Sequence, residues 1–208
     1  MPVIALVGNK GGAGKTTLTV NLAVGLGQRG NVIILDTDPQ GSSAQWRSIS
    51  EDNTIPRVIS ATDNLLAEVQ NLVTQYDHVV VDCPPSVQAT QTLSILQVSD
   101  LALIPVQPSP FDLWASIHIE KAVSEAREKN PDLRAMLVIN QLEPRTMLSQ
   151  LMREALSEIS VPVADTAIRR RAIYRASALE GRSVYSMGKR GVDAVDELNQ
   201  LVNEIIPG

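Results

Sequence analysis

A single cysteine, Cys83, stands in 208 residues. That excludes a disulfide framework within the chain and any metal site built from cysteines alone. Only two histidines are present, His78 and His118, and neither falls in a recognisable site pattern. No apolar run approaches the ~20 residues that a membrane-spanning helix needs. No charged leader followed by an apolar segment opens the chain, so export is not expected. Positive charge is also in short supply. With 18 Lys and Arg against 23 Asp and Glu, the formal net charge is −5, and any affinity for nucleic acid must come from a local basic patch. What is present is an ordinary globular composition, 44% hydrophobic and 20% charged. A chain of this length can bury a sizeable core, and residues 1–208 are read as one cytoplasmic domain.

Short apolar segments alternate with helical ones from end to end. Strands are expected at "PVIALVG", "NVIILD", "PRVIS", "HVVVD", "LALIPV" and "LRAMLVIN". Helices are expected at "TTLTVNLAVGLGQRG", "GSSAQWRSIS", "NLLAEVQNLVTQY", "ATQTLSILQV", "DLWASIHIEKAVSEAREKN", "MLSQLMREALSEI" and "VDAVDELNQLVNEI". The strands are continuously apolar rather than alternating, which indicates a sheet buried on both faces. The expected fold class is α/β, a doubly wound, mainly parallel sheet with helices on both faces. In such a fold ligands gather at the carboxyl ends of the strands, so separated segments can be read as one site.

The first is "NKGGAGKTT", residues 9 to 17, directly behind the first strand. The plain phosphate-loop pattern G-x-x-x-x-G-K-[ST] puts a glycine where Asn9 stands, and an additional lysine, Lys10, precedes Gly11 and Gly12. Gly11, Gly12 and Gly14 let backbone N–H groups curl around an anion, with the positive end of the following helix aimed at the same place. Lys15 would neutralise β- and γ-phosphates, and the Thr16 hydroxyl would ligate Mg²⁺. The second segment, "LDTDPQ", places Asp36 and Asp38 on one side of a strand end, where two carboxylates invite a cation or ordered water. The third, "HVVVDCPPS", is an apolar strand ending in Asp82, the arrangement that holds the Mg²⁺ shell in phosphate-loop enzymes. Each acid alone would equally suit a polar strand end; their company carries the reading.

Together "NKGGAGKTT", "LDTDPQG", "VVVDCPPS" and "LIPVQPSPFDLWA" resemble the ParA/MinD-type deviant Walker A ATPases. The resemblance implies an ATPase with Mg²⁺, its nucleotide held by Gly11, Gly12, Ala13, Gly14, Lys15, Thr16 and Thr17. Lys10 matches the signature lysine that reaches across an ATP-sandwich homodimer. Asp38 matches the carboxylate that positions the attacking water; Thr16, Asp36 and Asp82 match residues around the metal. By the same resemblance Pro108, within "PVQPSP", lies beside the adenine and the dimer interface. Asn140 is placed near the adenine, and Arg145 at the nucleotide or the interface.

One basic segment stands out in the acidic chain, "IRRRAIYRASALEGRSVYSMGKR". It carries Arg169, Arg170, Arg171, Arg175, Arg182, Lys189 and Arg190, with Glu180 the only acid within it. The segment is similar to the surface with which ParA-type dimers hold double-stranded DNA non-specifically, and in sequence it lies far from the phosphate loop. A membrane-attached relative would end in a basic amphipathic helix, whereas this chain ends on the acidic "DAVDELNQLVNEIIPG". A cluster-bearing reductase needs paired cysteines, which Cys83 cannot supply. A metabolic ligase or kinase of the same fold remains open, since fold does not decide function. The loop begins near residue 1, so no helix-turn-helix domain is expected ahead of it. Within the family the chain most resembles the small branch that distributes carboxysomes over the nucleoid, the McdA type, with ParF-type plasmid partition as the alternative. Either implies an adaptor protein that links cargo and stimulates hydrolysis.

Overall fold

A computed structural model describes residues 3–143, 146, 151, 155–156 and 159–206, with backbone alone over 110–117. Strands β1 (Val3–Leu6), β2 (Val32–Asp36), β4 (His78–Asp82) and β5 (Leu101–Val106) are buried along their whole length. β3 (Arg57–Ser60), β6 (Arg134–Leu142) and the two-residue β7 (Ile168–Arg169) complete the sheet. The order is β3-β2-β4-β1-β5-β6-β7, and all its pairings are parallel. β-branched Val and Ile suit these strands because both of their faces pack against helices.

Alternate residues of β1 enter opposite cores. Val3, Ala5 and Val7 face a layer formed with α3 (Leu65–Leu72), α4 (Thr90–Leu96) and α5 (Pro110–Lys129). Ile4 and Leu6 face the other layer, formed with α1 (Lys15–Leu26), α2 (Ser42–Ile49) and α7 (Val192–Ile205). Full burial of side chains such as Leu22 or Leu201 stabilises the fold by about 1.5–3 kcal/mol each. A further helix, α6 (Ala172–Leu179), is joined to α7 through 3-10 turns at Val184–Ser186 and Gly188–Arg190.

Most expected elements are present, and α7 coincides with its sequence segment. α1 differs in character. Its apolar spacing suggests one buried face, yet Thr19 and Asn21 are fully buried too. Asn21 takes the Val184 N–H at 2.8 Å and donates to Thr17 O at 2.8 Å, so the C-terminal turns cover the helix's outer side. β7 and α6 sit where the sequence offered only a basic cluster. The segment "MLSQLMREALSEI" falls largely outside the described residues.

The chain leaves β1 toward β2 and leaves β5 toward β6, in opposite directions along the sheet. A crevice opens at such a reversal. The loop after β1 and the connection after β5 line it.

Candidate functional site

Two glycines in left-handed conformations shape the loop, Gly12 at φ 81° and Gly14 at φ 92°. Gly14 caps α1 without a side-chain hydrogen bond, and the first turn of α1 carries no acid. The first N–H groups and the positive dipole end of α1 are therefore available to an anion. Lys15 folds inward, 7% exposed, with its Nζ 3.4 Å from Lys10 O. Gly8 makes room for it, because a Cβ there would come within 3.3 Å of Lys15 Cδ. Burial lowers the Lys15 pKa, and the neighbouring Asp82 and Asp38 carboxylates draw it back up. An ammonium in this position gains most from a dianionic partner. Lys10 sits in the outer part of the loop, partly exposed.

The acids converge as the spacing suggests, but they differ in what they do. Asp36 and Asp82 are register partners on β2 and β4. Thr37 ties the two strand ends together, its hydroxyl donating to Asp82 O at 2.9 Å. Asp82 is 1% exposed; the Thr19 hydroxyl donates to its Oδ1 at 3.4 Å, and Oδ2 has no hydrogen-bond partner. Burial pushes its carboxyl up to about 7, with Asp36 and Asp38 adding to the shift and Thr16 and Lys15 opposing it. A buried, unpartnered carboxylate oxygen beside a threonine hydroxyl suits an incoming hydrated cation. Among the described residues no group of three or more His, Cys, Asp or Glu could hold a metal. Mg²⁺ does not require one, because it keeps several waters and takes phosphate oxygens. The residues present fit that ion.

Asp36 has a task that its spacing does not show. Its Oδ1 accepts the Asp38 N–H at 3.1 Å and its Oδ2 the Ala44 N–H at 2.9 Å. Because the Gly41 N-cap of α2 lacks a side-chain cap, Asp36 caps that helix from the neighbouring strand. Each of its oxygens thus accepts one backbone N–H and keeps a second lone pair. Asp38 is held at the turn by the Gln40 N–H, 2.9 Å from its Oδ1. Cys83 is inert here, its thiol pushed up to about 12 by burial.

Asn140, expected near a base, donates its Nδ2 to Ala13 O at 2.7 Å. That bond uses one of its two amide N–H groups, so its second N–H and its Oδ1 remain to face a ligand. Two glutamines without a site pattern of their own join it. Gln107 and Gln141 both donate to Gly12 O, at 2.6 and 3.1 Å. Gln107 lies inside "PVQPSP", where the prolines are the conspicuous feature; Gln141 has no sequence signal at all. Pro108 follows Gln107 on the same connection, and Arg145 lies outside the described residues.

The basic segment requires a correction. Arg169, Arg170, Arg171 and Arg175 line a cavity of about 210 Å³ together with Gly14 and Thr17, so the cluster adjoins the loop. Tyr174 lines it as well, its buried hydroxyl without a hydrogen-bond partner. The segment is also less cationic than its composition, because the fold brings acids to it. Arg171 pairs with Glu197 at 2.7 Å and Asp193 at 2.8 Å. Arg170 meets Glu143 at 2.6 Å and Arg169 meets Glu197 at 3.6 Å. Glu180 lies 3.4 Å from Arg190 and 3.8 Å from Arg182. Among the described residues, the exposed Arg175 and Lys189 have no ion pair.

Residues 4–184 match the family model described as the CobQ/CobB/MinD/ParA nucleotide binding domain. Over 207 residues the chain is 42% identical to the maintenance of carboxysome distribution protein A of Halothiobacillus neapolitanus, covering 98% of this chain and 96% of that protein. The solved structure of Cyanthece apo McdA is similar with a TM-score of 0.76 at 17% identity, over 95% of this chain and 99% of that one. The septum site-determining protein MinD of Pyrococcus horikoshii, complexed with Mg-ADP, has a TM-score of 0.75 at 22% identity, over 98% of this chain and 96% of that one.

Asp82 sets a pH dependence of the metal-free protein. Its carboxyl binds a proton more readily folded than unfolded, so its contribution is complete below the ordinary carboxylate range and lost as pH rises through about 7. With chelator and no nucleotide, the parent should therefore lose stability relative to Asp82→Asn between pH 5 and pH 8. Urea unfolding at the two pH values measures this, and parallel profiles would contradict the buried, unpartnered carboxylate.

Proposed function

We propose, for a chain that belongs to the CobQ/CobB/MinD/ParA nucleotide-binding family, that it is an Mg²⁺-dependent ATPase that distributes carboxysomes over the nucleoid. The observation that carries this is its 42% identity, over nearly its whole length, to a carboxysome distribution protein. The loop geometry supports the chemistry.

In this reading the loop N–H groups, Lys15 and the start of α1 hold the polyphosphate, with Ala13, Thr16 and Thr17 in the same turn. Thr16 and Asp82 would hold the Mg²⁺ shell, which when bound offsets charge on the β- and γ-phosphate oxygens. Asp38 orients the attacking water with the oxygen that Gln40 leaves free. Lys10 precedes the loop and cannot easily fold back onto phosphates that the loop already encloses. Projected into a second copy, it gains a buried anion to pair with. ATP thereby joins two subunits, and hydrolysis, stimulated by a cargo-bound adaptor protein, separates them.

DNA binding is assigned to the exposed cations of the α6 region, led by Arg175 and Lys189. Arg169, Arg170, Arg182 and Arg190 contribute where phosphate can displace their exposed acidic partners, pairs that are worth little in water. Arg171 is withdrawn from that role because its partners hold it within the fold. The cavity shared by Arg169, Arg170 and Arg175 with Gly14 gives nucleotide a short route to this surface.

Three loop variants test the chemistry. Lys15→Ala should lose nucleotide binding, whereas Lys10→Ala should bind nucleotide but fail to dimerise on ATP. Asp38→Ala should retain the ATP dimer with phosphate release suppressed. Calorimetry, sedimentation and single-turnover phosphate release separate the three; an ATP dimer in Lys10→Ala would remove the cross-subunit lysine.

DNA affinity should depend on ATP, because two weak surfaces on one duplex gain ~10²–10⁴-fold when both engage. Arg175→Ala with Lys189→Ala should weaken binding equally on unrelated duplexes. The salt slope should flatten by ~0.9 for each DNA phosphate that the variant leaves unneutralised. Arg171→Ala should instead lower stability by about 1.5–3 kcal/mol, the scale of hydrogen bonds to charged groups. Fluorescence anisotropy across a salt series with ATP, ADP and no nucleotide reads the first effect. Binding that ignores nucleotide state would reject the switched surface.

Cargo is tested in the cell. Removing the protein should collapse the even spacing of fluorescently labelled carboxysomes into clusters. Unchanged spacing together with loss of a resident plasmid would transfer the function to plasmid partition.

A further inference from the structure

A loop whose N–H groups face an anion must satisfy its carbonyls elsewhere. Here three side-chain amides do so. Gln107, beyond β5, and Gln141, in β6, donate to the single oxygen of Gly12, and Asn140 donates to the oxygen of Ala13. A trans peptide is planar, so fixing a C=O also fixes the N–H of the next residue, on the opposite side of that plane. Holding Gly12 O therefore aims the Ala13 N–H, and holding Ala13 O aims the Gly14 N–H.

The backbone at Gln141 points to the same purpose. Adjacent residues of a strand face opposite ways, so Asn140 and Gln141 should not reach one loop. The pairing of β6 with β7 shifts register between Asn140 and Leu142. Gln141 sits at φ 56°, the one positive φ at a non-glycine among the described residues. A bulge re-aims side chains in this way, and a left-handed glutamine is strained unless the surroundings hold it there.

We infer that Gln107 and Gln141 are positioning residues that keep the phosphate loop in its binding conformation, with the bulge at Gln141 serving to deliver its amide to Gly12. This rests on the reading that the loop holds nucleotide phosphates. Because the glutamines act through the loop, their effect is on phosphate recognition and is indifferent to the base.

The test uses the full chain with Mg-ATP and Mg-GTP, measured by calorimetry on Gln107→Ala, Gln141→Asn and the double variant. Asparagine adopts the left-handed backbone more readily than glutamine but is one methylene short of Gly12. Each single variant should weaken ATP binding by about 3–10-fold and the pair by more, as expected for one or two broken hydrogen bonds. The ATP-to-GTP affinity ratio should stay that of the parent, and unliganded Gln141→Asn should melt no lower than the parent. Parent-like ATP affinity in the double variant would overturn the inference while leaving the loop reading intact. A loss confined to ATP would overturn it too, by making Gln141 a reader of the base. A parent that binds no nucleotide would defeat the loop reading, and the inference with it.

Discussion

The site is organised around a charge that the fold holds in a dry place. Lys15 lies under its own loop at the end of β1, facing Asp82, which ends the neighbouring strand. Neither group is comfortable alone: burial lowers the lysine pKa and raises that of the carboxyl. An anion in the loop and a cation beside Asp82 would relieve both, so the unliganded protein is prepared for an ion pair that arrives from outside. The cost of holding these charges is borne by the two apolar layers on either side of the sheet.

That arrangement depends on a rigid support. Thr37 joins the ends of β2 and β4, Asp36 caps α2 from within the sheet, and Asn21 connects α1 to the C-terminal turns. These polar groups are buried and bonded to backbone, so a displacement of one strand end moves the helix starts beside it. α1 is central here. It begins at the loop, runs between the sheet and α7, and so links the phosphate site to the arginine region by side-chain packing as well as through the shared cavity.

The basic region shows how composition misleads when read along the chain. Within the segment only Glu180 opposes the arginines, yet in space Glu143, Asp193 and Glu197 reach them from beyond β6 and from α7. Arg171 is enclosed by two of these acids and acts as a brace between β7 and α7. The usable positive charge is smaller, and it sits nearer to the nucleotide loop than sequence distance suggests.

Read alone, the sequence determined the fold class, the strand series and which residues stand at the strand ends. Continuous Val and Ile runs mark a doubly covered sheet, and Gly11, Gly12, Gly14, Lys15, Thr16, Asp38 and Asp82 are legible because each stands at the end of such a run. Local spacing suffices for these, since a strand's direction carries its last residue to the ligand edge. Tertiary structure alone decided what depends on neighbours distant in sequence. It gave Asp36 the capping of α2, tied the Asn140 amide to the loop and brought Gln107 and Gln141 to one carbonyl oxygen. It also placed the arginines beside the cavity with acids at their heads. A hydrogen bond between residues 95 or 129 positions apart, such as those from Gln107 and Gln141 to Gly12, leaves no trace in local pattern. The left-handed backbone at Gln141 leaves none either, because glutamine is not the residue that conformation favours.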